Sequence, residues 1–308
     1  MKKVVVTGAC GFIGGALTKK LLSSGVQVYG VDINAESLEK MKQYGDFIPV
    51  VADFSCYDKL PEMIKDDEID VFYHFALKGG LESAAVRDYD LQLSNAKFAC
   101  DALVLAKALN CQKFVFAGTA NEFEIKTFIN SEDFVPRYTC VYSAAKMAAE
   151  LICKTYACNI GINYSAGLIS LAYGEGNRSK QLINIVINQL IHNVSPKLIE
   201  GNNLYDLIYI DDIVDAFVAI GEKGRNMRSY YVGHRQLKTF KEILTEIGDT
   251  LNPNVDLLFG AFKDSSNLDY SLVDLNALYN DTGFECRSDF KESILKTAEW
   301  VKTLDWEA

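Results

Sequence analysis

Short apolar runs alternate with stretches of helical period over the first half of the chain. Val4-Val5-Val6 is a β-branched run with the composition of a buried strand. Glycines follow it, residues 16–24 carry a helical pattern that stops at Gly25, and residues 26–31 form a second apolar run. The unit then recurs, with strands at 47–51, 71–76, 113–117 and 162–171. Helices fall between them at 59–65, 91–109 and 142–156, the last with Ala145, Ala149 and Ile152 on one side. Strands that are apolar throughout, each followed by a helix, belong to a parallel sheet covered on both faces. The predicted fold class is α/β, with a doubly wound parallel sheet.

After Gly174 the alternation stops. Helical patterns at 180–193, 211–222, 239–251 and 288–303, joined by loops of Asn, Gly and Asp, predict a smaller lobe interleaved with the last sheet elements. The expected division is 1–170 for the sheet domain and 171–308 for the lobe. With 308 residues, 49% of them hydrophobic and 23% charged, the chain buries a core of that size.

Charge and cysteine content narrow the function. The net charge of −10 repels phosphate backbones, so neither nucleic acid nor an anionic membrane is an expected partner, and a polyanionic substrate needs a local basic pocket. Eight cysteines, without CxxC pairs or interleaved histidines, predict neither a metal site nor a disulfide framework, but reduced thiols in the cytoplasm. Lys2 and Lys3 before residues 4–17 have the outline of a signal peptide, but Gly and Thr interrupt it and no A-x-A-like site follows. No apolar run approaches the ~20 residues of a membrane-spanning helix.

Residues 7–14, Thr7-Gly8-Ala9-Cys10-Gly11-Phe12-Ile13-Gly14, place three glycines three apart between the first strand and the first helix. Side chains there would bar a pyrophosphate from the helix's amide-rich N-terminus. Gly8, Gly11 and Gly14, with Phe12 and Ile13 at the helix start, are therefore the expected dinucleotide contacts. Asp32 ends the second strand, where a carboxylate accepts both ribose hydroxyls and repels a 2′-phosphate, so NAD is expected over NADP. Asp53, just past the third strand, is placed either to reach the adenine amino group or to cap a helix. Cys10 reads as a small space-filler within the loop.

Tyr142 and Lys146 stand four apart on a predicted helix and share a face. A tyrosine titrates near about pH 10, and a neighbouring ammonium together with an oxidised nicotinamide would bring it towards the range of a general base. Thr119 follows the 113–117 strand at the sheet's C-terminal edge, where its hydroxyl is placed to hydrogen-bond a reacting alcohol.

These features, with Tyr73-His74-Phe75-Ala76, Asn95, Phe116-Ala117-Gly118-Thr119, Tyr142-Ser143-Ala144-Ala145-Lys146, Tyr173-Gly174 and Tyr209-Ile210-Asp211-Asp212, resemble the extended short-chain dehydrogenases/reductases, specifically the nucleotide-sugar epimerases and their relatives. The resemblance spans nearly the whole chain. It implies a Rossmann sheet, an NAD cofactor lined also by Ala76, and Thr119, Tyr142 and Lys146 as the catalytic trio. It further implies a nucleoside-diphosphate sugar in the C-terminal lobe, and a homodimer built on the 91–109 and 142–156 helices. His74 is then a structural or cofactor-lining residue, and Asn95 ties its helix to the sheet.

The chain departs from the pattern at three places. Leu171 stands where relatives carry Asn, Tyr205 where they carry Arg, and no arginine lies near 268–270. Arg178 and Lys180 are the candidate phosphate contacts in their place, with Arg235 a further basic residue in reach. Ala120 and Asn121 follow Thr119 where sugar 4,6-dehydratases carry an Asp-Glu pair, and Glu122 matches only after a one-residue shift. The expected activity is epimerisation through a transient keto-sugar; 4-ketoreduction or dehydrogenation is the alternative, and dehydration ranks below both.

Overall fold

The computed structural model describes residues 1–65, 68–263 and 268–306. Its centre is a seven-stranded sheet, all of whose neighbours pair in parallel. The strands are β1 (Lys3–Thr7), β2 (Gln27–Asp32), β3 (Phe47–Val51), β4 (Val71–His74), β5 (Lys113–Thr119), β6 (Asn163–Ile169) and β7 (Arg228–Val232). They lie in the order β7-β6-β5-β4-β1-β2-β3, so the direction of winding reverses between β1 and β4. In an open parallel sheet the crevice at that reversal, beyond the strands' C-terminal ends, is where ligands bind.

Successive residues of β1 feed opposite faces of the sheet. Val4 and Val6 join a core with Leu17, Ile213 and Phe217, from the Phe12–Ser23 and Ile210–Lys223 helices. Val5 joins a second core with Phe72, Leu103 and Ala149, from beneath the Tyr89–Ala108 and Cys140–Ile160 helices. The apolar strands read from the sequence are those of a two-sided sheet because both faces carry such a layer.

Several segments differ from the sequence expectation. The 59–65 helix is instead a 3₁₀ turn at Phe54–Lys59 followed by one α-turn at Leu60–Met63, with Pro61 in its first turn. The run at 162–171 breaks at Ser170, and Leu171–Tyr173 turns away to pair with Leu207–Tyr209. A helix at Glu122–Asn130 directly after β5, and β7 itself, carry no clear signal in the sequence. Among the described residues no helix is long and apolar enough to cross a membrane.

Candidate active site at the C-terminal edge of the sheet

β1 delivers the chain into the glycine loop at the winding reversal. Gly8 has φ +69°, and a Cβ there would stand 3.0 Å from the Ala76 amide nitrogen. A Cβ on Gly14 would come within 2.2 Å of the Gly8 carbonyl oxygen. Only glycine permits this approach of helix to loop. The helix starts at Phe12 after Gly11, and no side chain caps its first turn, which leaves amides for a bound anion. Asp32 Oδ2 accepts the Cys10 N–H at 3.0 Å and Oδ1 accepts that of Asn34 at 3.0 Å. The carboxylate is thus fixed at the end of β2 beside the loop, with lone pairs remaining for hydroxyl donors. A glycine cradle that a Cβ would fill, an uncapped helix start and an oriented carboxylate together fit a dinucleotide.

Asp53 caps the turn that follows it, its Oδ1 accepting from the Ser55 N–H at 2.7 Å and from its hydroxyl at 2.5 Å. Those donors hold the Asp53 carboxyl below its usual range. Burial, and then the Asp32 charge, push the Cys10 thiol up to about 12, which keeps it protonated and inert. Ala76 is set by the Thr7 hydroxyl, which accepts its N–H at 3.3 Å and shares a hydrogen bond of 2.9 Å with His74 Nδ1. His74 is buried, and desolvation followed by the nearby Lys146 charge lower its pKa to about 3, so the ring is neutral. It braces β1 against β4.

Thr119 at the end of β5, Tyr142 and Lys146 come together behind this loop. The Thr119 hydroxyl acts on the Tyr142 phenol to lower its pKa. Lys146 Nζ donates to the Ala117 carbonyl at 2.8 Å and lies 4.8 Å from the Phe116 ring centroid. A small cavity of about 10 Å³, lined by His74, Ala76, Asn95 and Lys146 among others, adjoins it and has room for one water. Burial lowers Lys146 to about 8, and this is opposed by Glu122. The chain's own groups raise the Tyr142 phenol, so the lowering expected from Lys146 together with an oxidised nicotinamide is not supplied by the protein alone. The phenol's full burial, and then the Glu122 carboxyl, raise it, and only the Thr119 hydroxyl pulls the other way.

Glu122 and Glu150 enter this setting, the second unnoticed in the sequence. Glu150 lies eight residues beyond Tyr142 and therefore on the same face of the Cys140–Ile160 helix as Tyr142 and Lys146. Glu122 Oε1 accepts the Thr119 N–H at 2.9 Å, and the Ser229 hydroxyl donates to Glu150. Burial first, then the facing Glu150, hold Glu122 well above the carboxylate range. A lone acidic residue on an apolar helix face, at helical spacing from Tyr142, is the signal that points to Glu150.

The remaining candidates have partners of their own. Asn95 ties its helix to the loop after β4 rather than to the sheet, accepting the Lys78 N–H at 3.0 Å and donating to its carbonyl at 3.1 Å. Arg178 and Lys180 are exposed and lie over the Trp300 and Trp306 rings, at 5.8 and 5.9 Å from the centroids. Arg235 pairs with Glu285 at 2.9 Å. Tyr205 packs its ring on Phe240, 4.4 Å between centroids, and Leu171 pairs with Leu207.

Known proteins share this fold. Over 97% of its length the chain superposes on 99% of UDP-glucuronic acid 4-epimerase from Bacillus cereus, solved with UDP-glucuronic acid and NAD, at a TM-score of 0.79 and 21% identity. UDP-N-acetylglucosamine 4-epimerase from Methanobrevibacter ruminantium gives 0.79 at 22% identity, over 98% of both chains. A probable dTDP-glucose 4,6-dehydratase of Sinorhizobium fredii is 24% identical over 99% of this chain and 94% of its own. The profile of the NAD dependent epimerase/dehydratase family matches residues 4–233. The chain therefore belongs to the NAD dependent epimerase/dehydratase family, and its cofactor is NAD.

Proposed function

We propose that the protein is an epimerase of a nucleoside-diphosphate sugar that keeps its NAD through the cycle. The cluster of Thr119, Tyr142 and Lys146 carries this reading. Dehydration needs an acid and a base for loss of water, whereas Glu122 is buried, binds the Thr119 amide and faces Glu150. When bound, NAD would supply the acceptor and donor of the hydride exchanged with the sugar carbon. Gly8, Gly11, Phe12, Ile13 and Gly14 would hold its pyrophosphate, Asp32 its ribose, and Ala76, Tyr142 and Lys146 would line its nicotinamide end. Thr119 hydrogen-bonds the reacting hydroxyl, Tyr142 takes the hydroxyl proton and gives it back, and the Lys146 ammonium favours the phenolate. The ketone turns between the two transfers, so a single tyrosine serves both directions.

Residues 171–308 form most of the nucleotide-sugar lobe, with Arg178 and Lys180 swinging from their tryptophans to the diphosphate. The active unit is a homodimer in the cytoplasm. It pairs through the Tyr89–Ala108 and Cys140–Ile160 helices, where Leu93, Val104, Leu151, Ile152 and Tyr156 are exposed. The Leu171 and Tyr205 positions favour a second reading, a 4-ketoreductase or dehydrogenase that releases its cofactor, because both replace polar groups that relatives carry. Mass spectrometry of the nucleotides freed by denaturing the purified protein separates the two. Near-stoichiometric NAD is expected; an empty protein that takes NADPH would move the assignment to the reductase.

A further inference from the structure

Away from the catalytic cluster, three side chains from three segments meet. They are Asp212 in the first turn of the Ile210–Lys223 helix, His234 just past β7, and Cys286 in the loop before the Phe290–Lys302 helix. One donor atom from each lies within 4.8 Å of the other two, the one such group among the described residues. Asp212 is buried and anchored, its Oδ1 accepting the Arg287 N–H at 2.8 Å, while Oδ2 has only the longer contact of 3.3 Å from Ser288. His234 Nδ1 is held by Asp206 Oδ1 at 2.7 Å, which leaves Nε2 as its coordinating atom. Asp206 is itself fixed, since its Oδ2 accepts from the Tyr231 hydroxyl at 2.7 Å and the His234 N–H at 2.6 Å.

An imidazole, a thiolate and a carboxylate, with a second carboxylate behind the imidazole, is a donor set for a borderline-soft dication. Magnesium and calcium take oxygen ligands instead. We propose that Asp212, His234 and Cys286 bind one zinc-type divalent ion, with Asp206 orienting His234 and water completing the shell. The thiolate and the Asp212 carboxylate balance the two positive charges, and the Cys286 proton leaves to solvent on binding. His234 is 36% exposed at its side chain, which gives the ion a way in. Donors at ~2.0–2.3 Å from zinc stand closer together than the present limit of separation, so the ion draws the Cys286 loop inward and clips it to β7 and the Ile210–Lys223 helix.

The full chain, stripped with a chelator and titrated with cobalt(II), tests this without any assay of turnover. One equivalent is expected to bind, giving a thiolate-to-cobalt band in the near ultraviolet and the visible bands of a four-coordinate ion, and zinc is expected to displace it. Cys286→Ser should lose the near-ultraviolet band, and Asp206→Asn should weaken binding about 10- to 100-fold. Absence of the band in the parent overturns the site. So does its survival in Cys286→Ser, which would put the metal on another of the eight cysteines. If Asp206→Asn does not fold, the Cys286→Ser spectrum alone decides.

Discussion

Lys146 is a charge held where burial opposes it. Its pKa of about 8 in the fold, against 10.5 in the open chain, makes the ammonium a cost below about pH 8. Between those values the unfolded chain keeps a proton that the folded chain has lost, so stability rises with pH there. Lys146→Met is therefore expected to resist urea better at pH 7, by up to ~3 kcal/mol less the hydrogen bond to Ala117, while losing turnover. The advantage should shrink between pH 8 and 10.5; a lysine that were merely structural would make the variant weaker at every pH. Tyr142→Phe keeps the ring and its packing and removes the proposed proton carrier, so turnover should fall by about 10²- to 10⁴-fold with NAD affinity retained. Loss of NAD binding in that variant would mean the phenol holds the cofactor rather than the proton. Gly14→Ala acts on the other half of the site: its Cβ meets the Gly8 carbonyl at 2.2 Å, so NAD binding should be lost together with ~1–3 kcal/mol of stability. Binding by isothermal titration and unfolding in urea check both.

At the scale of elements, the sequence is legible where structure is local. β1, the glycine loop and the Phe12–Ser23 helix are contiguous, and Tyr142 and Lys146 are one helical turn apart, so their meeting needs no knowledge of the fold. β7 is different. Arg228–Val232 is five residues long and becomes a strand by pairing with β6, some sixty residues away. The Glu122–Asn130 helix starts without a side-chain cap, so nothing marks its beginning. For the same reason the Asp206–His234 contact and the tryptophans under Arg178 and Lys180 escape a reading by spacing, since each joins segments far apart in sequence. The paired Tyr89–Ala108 and Cys140–Ile160 helices bury their alanine faces on the sheet and leave Leu93, Leu151 and Ile152 more than half exposed. If that face joins two copies, Ile152→Glu should turn a dimer into a folded monomer in sedimentation velocity. A parent that already sediments as a monomer removes the interface.

For the whole molecule, two buried groups at the C-terminal edge of the sheet set opposite responses to acid. His74 has a folded pKa of about 3 against 6.5 when exposed. Below 6.5 the unfolded chain takes up a proton that the folded chain refuses, and stability falls, by ~2 kcal/mol between pH 6.5 and 5. Glu122 works the other way: its folded pKa is raised, so between its ordinary value of 4.5 and that raised value the folded chain holds the extra proton, and acidification stabilises. The acid limb of the stability curve is the sum of these two on a background common to the rest of the chain. His74→Asn keeps a polar partner for the Thr7 hydroxyl and removes the first contribution, so its urea midpoint should fall less than the parent's from pH 7 to 5. Glu122→Gln keeps the shape of the neutral carboxyl and removes the second, so its midpoint should fall more. Displacements of the same sign in both variants would mean that these groups are not the buried titrating pair of the fold, and that acid acts on it through exposed carboxylates instead.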